Sequence, residues 1–196
     1  MKIYIYPTDT VWAIGASVYD ADANFQIAKI KGTEINKPLS ILVGNFTQFL
    51  NYFLTPLNID HKILQSMFQL NSTLGIPVQW LKKEIPAQIY GRGSWIGVRC
   101  LDYTLIKKLI EEIGAPVTTT SLNFNGEMPI ADEDKALAFS KRITNCKFFS
   151  LDTRGPTPEG VSSSVLVLSN RGGTKILRSG KFIQELLELA EKLHTT

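Results

Sequence analysis

A set of hydroxyls and cations falls where apolar runs end: Thr8, Thr10, Lys31, Lys37, Arg99, Thr119, Ser121, Asn123, Ser163, Ser164 and Arg178. Such side chains suit the binding of a phosphate and a carboxylate and can hold the two in line. Phosphoryl and nucleotidyl transfers need mainly that positioning and charge stabilisation, without a protein nucleophile. Other catalytic kits are absent. His61 reads as an exposed histidine on a helix beside Lys62, and His194 as a frayed residue near the end, so no Ser–His or Cys–His pair is expected. Cys100 and Cys146 lack the spacing and histidine company of a zinc site or a disulfide framework, and no metal site is expected. The string Gly91-Arg92-Gly93-Ser94-Trp95-Ile96-Gly97 faintly resembles a dinucleotide fingerprint. Its last spacing is wrong, and it enters a strand where that motif enters a helix. Gly180-Lys181 is followed by Phe182, so it makes no phosphate loop.

The elements that must carry these side chains are marked by periodicity and punctuation. Lys2-Ile3-Tyr4-Ile5 is strand-like and runs into Pro7, which keeps Tyr6 extended. Thr8-Asp9-Thr10 then reads either as the floor of a pocket or as a polar kink in a strand, with Gly15 permitting a bend or a close approach. Asp20 and Asp22 can cap a helix whose inward face is Phe25, Ile27, Ala28 and Ile30, which ends at Gly32 with Lys29 and Lys31 in its last turn. A strand is expected at Leu39–Val43, and helices at Phe46–Phe53 and Asp60–Phe68. Short strands follow around Ile76–Leu81 and Trp95–Cys100, then a helix at Tyr103–Ile113. Pro116–Ser121 is a β-branched strand leading to a polar turn through Gly126. A helix at Asp132–Ile143, a strand at Lys147–Leu151 and a loop from Arg154 to Gly160 come next. The strand Ser164–Leu168, a Gly172-Gly173 turn into Lys175–Arg178 and a helix carrying Phe182 to Leu193 complete the chain. Irregular alternation of strands and helices predicts an α/β or α+β fold on a twisted mixed sheet.

Bulk numbers narrow the class. A chain of 196 residues with 44% hydrophobic and 20% charged residues suits one globular domain, taken as 1–196. The net charge of +3 is too mild for a dedicated nucleic-acid binder. The basic run of Arg171, Lys175, Arg178 and Lys181 reads as a solvated face or as a receiver for a small anion. No signal-peptide pattern follows Met1-Lys2, and no stretch approaches the ~20 apolar residues of a membrane span. A cytoplasmic location without membrane contact is the expectation.

Five ordered blocks carry a resemblance over roughly residues 3–180. They are Tyr6-Pro7-Thr8-Asp9-Thr10-Val11-Trp12-Ala13-Ile14-Gly15 with Ile30-Lys31-Gly32 and Lys37-Pro38-Leu39; Gly97-Val98-Arg99; Thr120-Ser121-Leu122-Asn123 with Gly126-Glu127; Ser163-Ser164-Val165; and Ile176-Leu177-Arg178-Ser179-Gly180. Together they resemble the YrdC-like threonylcarbamoyl-AMP synthase family, with this chain as a divergent member. The resemblance implies a twisted mixed sheet flanked by helices, with an open, positively lined cavity. It implies a nucleotidyltransferase that condenses L-threonine, bicarbonate and ATP into threonylcarbamoyl-AMP, releasing pyrophosphate, for threonylcarbamoyladenosine modification of tRNA. ATP would be a substrate, with Mg2+ carried alongside it. By the same resemblance Thr10, Arg99, Thr119, Ser121 and Ser163 would line the threonine side. Lys31, Lys37, Asn123 and Arg178 would face the nucleotide, and Lys31, Ser121 and Asn123 would be catalytic. Separate tRNA-modifying transferase proteins would take up the product, and RNA is a further candidate partner.

The chain departs from the family pattern at several places. A Lys-x-Arg pair reads Lys31-Gly32-Thr33, and Thr33 lacks a guanidinium's charge and fork. A Pro-Gly-Pro block followed by threonine reads Gly75-Ile76-Pro77-Val78-Gln79, Ser-Ala-Asn reads Ser121-Leu122-Asn123, and Ser-Thr reads Ser163-Ser164. Thr33 motivates an alternative, a paralogue that binds nucleotide or double-stranded RNA without making the adenylate.

Overall fold

The computed structural model describes residues 1–194 apart from 36, 92, 154 and 170–172. Arg92 of the glycine-bearing string, Arg154 of the loop, Arg171 of the basic run and Gly172 of the turn therefore lie outside the described residues. In chain order the elements are β1 (Ile3–Pro7), β2 (Trp12–Gly15), α1 (Ala21–Lys31), β3 (Ser40–Val43), α2 (Phe46–Tyr52), α3 (His61–Phe68), β4 (Ser72–Pro77), α4 (Ala87–Tyr90), β5 (Trp95–Cys100), α5 (Thr104–Ile113), β6 (Val117–Ser121), α6 (Glu133–Ser140), β7 (Cys146–Phe148), β8 (Ser164–Leu168), β9 (Thr174–Arg178) and α7 (Ile183–Glu191). The strands form one mixed sheet in the order β7-β1-β2-β6-β3-β5-β4-β8-β9. Its parallel pairs are β1 with β7, β3 with β5 and β4 with β8.

Local chemistry sets most boundaries. The Asp20 carboxylate accepts from the Ala23 N–H at 2.9 Å to start α1, and Gly32 closes it at φ 64°, a conformation that favours glycine. Asp60 and Asp132 cap α3 and α6 in the same way. Alternation along β1 sends Ile3 and Ile5 into one core with α1 and α6, and Tyr4 and Tyr6 into another with α5. A larger core joins the β3, β5, β4 and β8 strands to α2, α3 and α7 through Phe49, Phe68, Met67 and Leu186. Burying each such side chain is worth about 1.5–3 kcal/mol.

The opening stretch is neither a straight strand nor a kinked one. Pro7 pairs with Trp12, so β1 and β2 form a hairpin whose turn is Thr8-Asp9-Thr10-Val11. Other expectations also shift. The strand expected at Ile76–Leu81 lies earlier, because Pro77 has no N–H to continue a ladder and Val78–Trp80 tightens into a 3-10 turn. Phe25 turns outward, 37% exposed, with the Lys29 ammonium 4.4 Å from its ring centre, while Ala23, Asn24, Ile27, Ala28 and Lys31 make the buried side. The last long helical stretch before β7 stops at Ser140, and Asn145 at φ 58° delivers the chain to Cys146–Phe148, not to Lys147–Leu151. His194 is anchored, not frayed: it bridges to Ile59, and its Nδ1 lies 3.3 Å from Asn58 Nδ2. His61 is exposed as expected, 2.7 Å from the Thr55 hydroxyl. Among the described residues no helix is long and apolar enough to cross a membrane.

Candidate active site

The hairpin turn is buried, which is unusual for a turn and demands internal partners for its polar groups. Thr8 supplies them. Its hydroxyl donates to the Val11 carbonyl at 2.6 Å and accepts from the Val11 and Thr10 N–H groups, while its own N–H reaches the Val11 carbonyl at 3.2 Å. Arg99, on β5, approaches this turn from the side. One guanidinium nitrogen donates to the Thr10 hydroxyl at 2.7 Å and the other pairs with the Asp9 carboxylate. The buried Arg99 Nε has no partner among the described residues. Gly97 makes room beside it: a Cβ there would lie 2.6 Å from the Ser40 hydroxyl.

A second hydroxyl centre stands at the start of β8. The Ser163 hydroxyl lies 2.8 Å from that of Thr73 and accepts from Arg178 at 2.9 Å, and the Arg178 Nε donates to the Ser163 carbonyl at 2.8 Å. Burial first, and the Arg99 guanidinium second, lower the Arg178 pKa from its ordinary value. The two arginines thus feel each other across a shared space, which favours an anion between them.

The third component joins the end of α1 to the turn after β6. Lys31 Nζ donates to the carbonyls of Ser121 and Asn123 and, at 2.8 Å, to Asn123 Oδ1. The Ser121 hydroxyl donates to the same Oδ1 at 2.6 Å. Burial, and then the Lys37 ammonium, hold the Lys31 pKa down to about 8. Asn24 pins α1 to β6, accepting at 2.6 Å from the Thr118 hydroxyl.

These parts enclose two adjoining cavities. The smaller, about 180 Å³, is lined by Thr10, Arg99, Thr119, Ser121, Ser163 and Arg178, together with Thr8, Ser40, Thr73 and Ser162. At ~30 Å³ per liquid water, that is room for roughly six waters, or a small metabolite. The larger, about 680 Å³, includes Lys31, Lys37, Asn123, Ser121 and Arg178 in its walls, and Asp22 is its one acidic lining residue among the described residues. Thr120, Ser121, Pro38, Leu39 and Arg178 border both. A third hollow of about 370 Å³ opens past Thr33, Glu34 and Lys37. The structure therefore brings every residue expected on the threonine side to the small cavity and every residue expected on the nucleotide side to the large one. Sequence reasoning missed Ser40, Thr73 and Ser162, and noted Asp9 without its partner. Ser40 opposite Thr119 in the β3–β6 register carries a signal only once the strands are paired. Ser164 belongs to the set differently: its hydroxyl accepts from the Gly180 N–H at 3.0 Å and supports the wall from behind. Among the described residues no group of three or more His, Cys, Asp or Glu could hold a metal ion.

The hairpin turn, strand ends and helix terminus of a twisted mixed sheet thus converge on a pair of adjoining cavities lined by hydroxyls and cations, within a mixed α/β fold. The family model Sua5_yciO_yrdC, described as telomere recombination, matches residues 2–180, and the chain belongs to the Sua5/YciO/YrdC family. Among curated relatives, a threonylcarbamoyl-AMP synthase of Wigglesworthia glossinidia brevipalpis is 29% identical over 182 residues, spanning 91% of this chain and 88% of the relative. One from Coxiella burnetii is 30% identical over 175 residues, 85% of this chain and 90% of the relative. The crystal structure of P. abyssi Sua5 complexed with L-threonine superposes with a TM-score of 0.79 at 25% identity, covering 98% of this chain and 55% of that one. This chain thus spans about half the length of that Sua5. E. coli YciO shares the fold at a TM-score of 0.73 and 19% identity, over 91% of this chain and 83% of its own.

Proposed function

We propose that this chain, acting as one YrdC-like domain, is an L-threonylcarbamoyladenylate synthase. In this reading L-threonine, bicarbonate and ATP yield threonylcarbamoyl-AMP, pyrophosphate and water. Threonine nitrogen becomes bonded to the bicarbonate carbon, and an oxygen of the resulting carbamate attacks the α-phosphorus as pyrophosphate leaves. The observation that carries the proposal is the junction: a small hydroxyl- and guanidinium-lined cavity opens into a larger cationic one, and Ser121 and Arg178 border both. The names of the curated relatives and the threonine complex of P. abyssi Sua5 support it.

Arg99, already oriented by Asp9 and Thr10, would receive the threonine carboxylate, with Thr119, Ser121 and Ser163 hydroxyls around the rest of the amino acid. Lys37 and Arg178 would face the triphosphate, with Asn123 beside them, and Arg178 would offset the charge that builds at the α-phosphorus. Mg2+ would arrive as part of the ATP substrate. Ser121, which borders both cavities, would sit between the two substrates, and its hydrogen bond to Asn123 in the larger cavity would keep the pair preorganised. The product, a mixed anhydride of a carbamate and AMP, suits consumption by a separate tRNA-modifying transferase, and this reading does not require direct RNA contact by this chain.

The alternative, a nucleotide- or RNA-binding paralogue, is less favoured, because the threonine-side residues are all present and all brought to the small cavity. The test is pyrophosphate release from ATP. Release should require both threonine and bicarbonate; release that is unchanged when either is withheld overturns the proposal.

A further inference from the structure

Lys31 is buried at the end of α1, and three protein acceptors meet its ammonium: the Ser121 and Asn123 carbonyls and Asn123 Oδ1. An ammonium has three N–H donors. While these bonds stand, none remains for a ligand. The backbone repeats the connection, because the Asn125 N–H donates to the Lys31 carbonyl at 2.7 Å. The turn is further organised by Asn123 Nδ2, which donates to the Phe124 and Glu127 carbonyls at 2.8 and 2.9 Å. That arrangement leaves Asn123 Oδ1 aimed at both Lys31 and the Ser121 hydroxyl.

We propose that Lys31 is a positioning residue, which acts by clamping the 121–123 turn and not by touching phosphate. The clamp joins two walls, since α1 lines the larger cavity and the turn carries Ser121 into both. Without the ammonium, two carbonyls lose their donor and Asn123 Oδ1 loses one of its two. The Ser121 hydroxyl is then free to turn away. Lys37 differs in kind: it lines the larger cavity and the hollow beyond, and does not border the smaller one. The inference rests on the synthase reading for the identity of the two ligands.

The test compares the full chain with Lys31→Met and Lys37→Met, measuring kcat and the separate KM values for ATP and L-threonine. With Lys31→Met both KM values should rise about tenfold or more and kcat should fall, because a charge-assisted hydrogen bond is worth at least that factor. With Lys37→Met the ATP value alone should rise. A rise confined to ATP in Lys31→Met overturns the inference, and so does a lower kcat with both KM values unchanged, which is the mark of a smaller folded fraction. Amide exchange without ligand supplies an independent reading: Lys31→Met should speed exchange over residues 122–127, and unchanged rates there overturn the clamp. If that variant does not fold, the wild-type chain still decides. Adding ATP should leave or slow exchange over 122–127, whereas faster exchange means that Lys31 has left the turn for the nucleotide. A wild-type chain that binds neither ATP nor threonine overturns the synthase reading, while the ligand-free exchange comparison still judges the clamp.

Discussion

Replacing Asp9 by Asn removes one charge from a pair that is almost closed to solvent, with Asp9 8% and Arg99 7% exposed. Arg99 would keep the Thr10 hydroxyl but lose its only paired carboxylate among the described residues, and its Nε is already without a partner. Breaking a fully buried pair costs about 3–5 kcal/mol, since the remaining charge is left uncompensated. Arg99 also lines the small cavity, where water can reach part of the guanidinium, so the lower end, about 3 kcal/mol, is expected. For a chain of this length each kcal/mol moves the thermal midpoint by roughly 2–4 °C, which gives a fall of about 6–12 °C. Thermal melts of Asp9→Asn, Arg99→Met and the double variant measure it. The double variant should cost less than the sum of the singles by about 2 kcal/mol, because it removes both desolvated charges together. An Asp9→Asn midpoint within about 2 °C of wild type, or strictly additive costs, refutes the reasoning.

Gly180→Ala should destabilise by about 1–3 kcal/mol and weaken threonine binding, because its Cβ would lie 2.6 Å from the Ser164 nitrogen and 2.7 Å from the Ser162 carbonyl oxygen and would push the Ser163 segment off Arg178; melts and titrations check both. Activity should fall as pH rises through about 8, where Lys31 loses the proton behind its third hydrogen bond; the charged groups around it are Lys37, Arg178 and Asp22 of the same cavity, and Lys31→Met should lack this limb in a pH–kcat profile. The stability linked to Lys31 runs the other way. Its folded pKa is depressed below the ordinary value near 10.5, so the unfolded chain binds more protons between about 8 and 10.5 and stability rises with pH across that window, as urea melts of wild type and Lys31→Met will show by difference. Thr33 lines both the larger cavity and the hollow beside Lys37, so Thr33→Arg can present a guanidinium to a bound triphosphate; pyrophosphate release should rise by the equivalent of about 2 kcal/mol or more, and an unchanged rate would mean that other groups already supply that charge.

Local chemistry was largely readable from the chain alone. Asp20, Asp60 and Asp132 announce helix starts, Gly32 and Gly114 announce ends, and Lys2-Ile3-Tyr4-Ile5 before Pro7 marks a strand, whose burial on both faces only the packing showed. Each of these acts over a few residues, so order along the chain is enough to reveal it. The ordered motif blocks, by resemblance, also pointed to the residues that the two cavities share out between them. Tertiary structure decided the rest. Asp9 and Arg99 lie ninety positions apart, as do Thr73 and Ser163, and they meet only because β4 chose β8 and β5 as neighbours and the β1–β2 turn was folded inward. The position of Phe25, a sound core residue by spacing, depended on which side of α1 found a sheet to cover. Lys31 shows the division most sharply: its place at a helix end is written in the sequence, but its three acceptors and its lowered pKa arise from burial against a turn ninety residues away, and burial is a property of the fold.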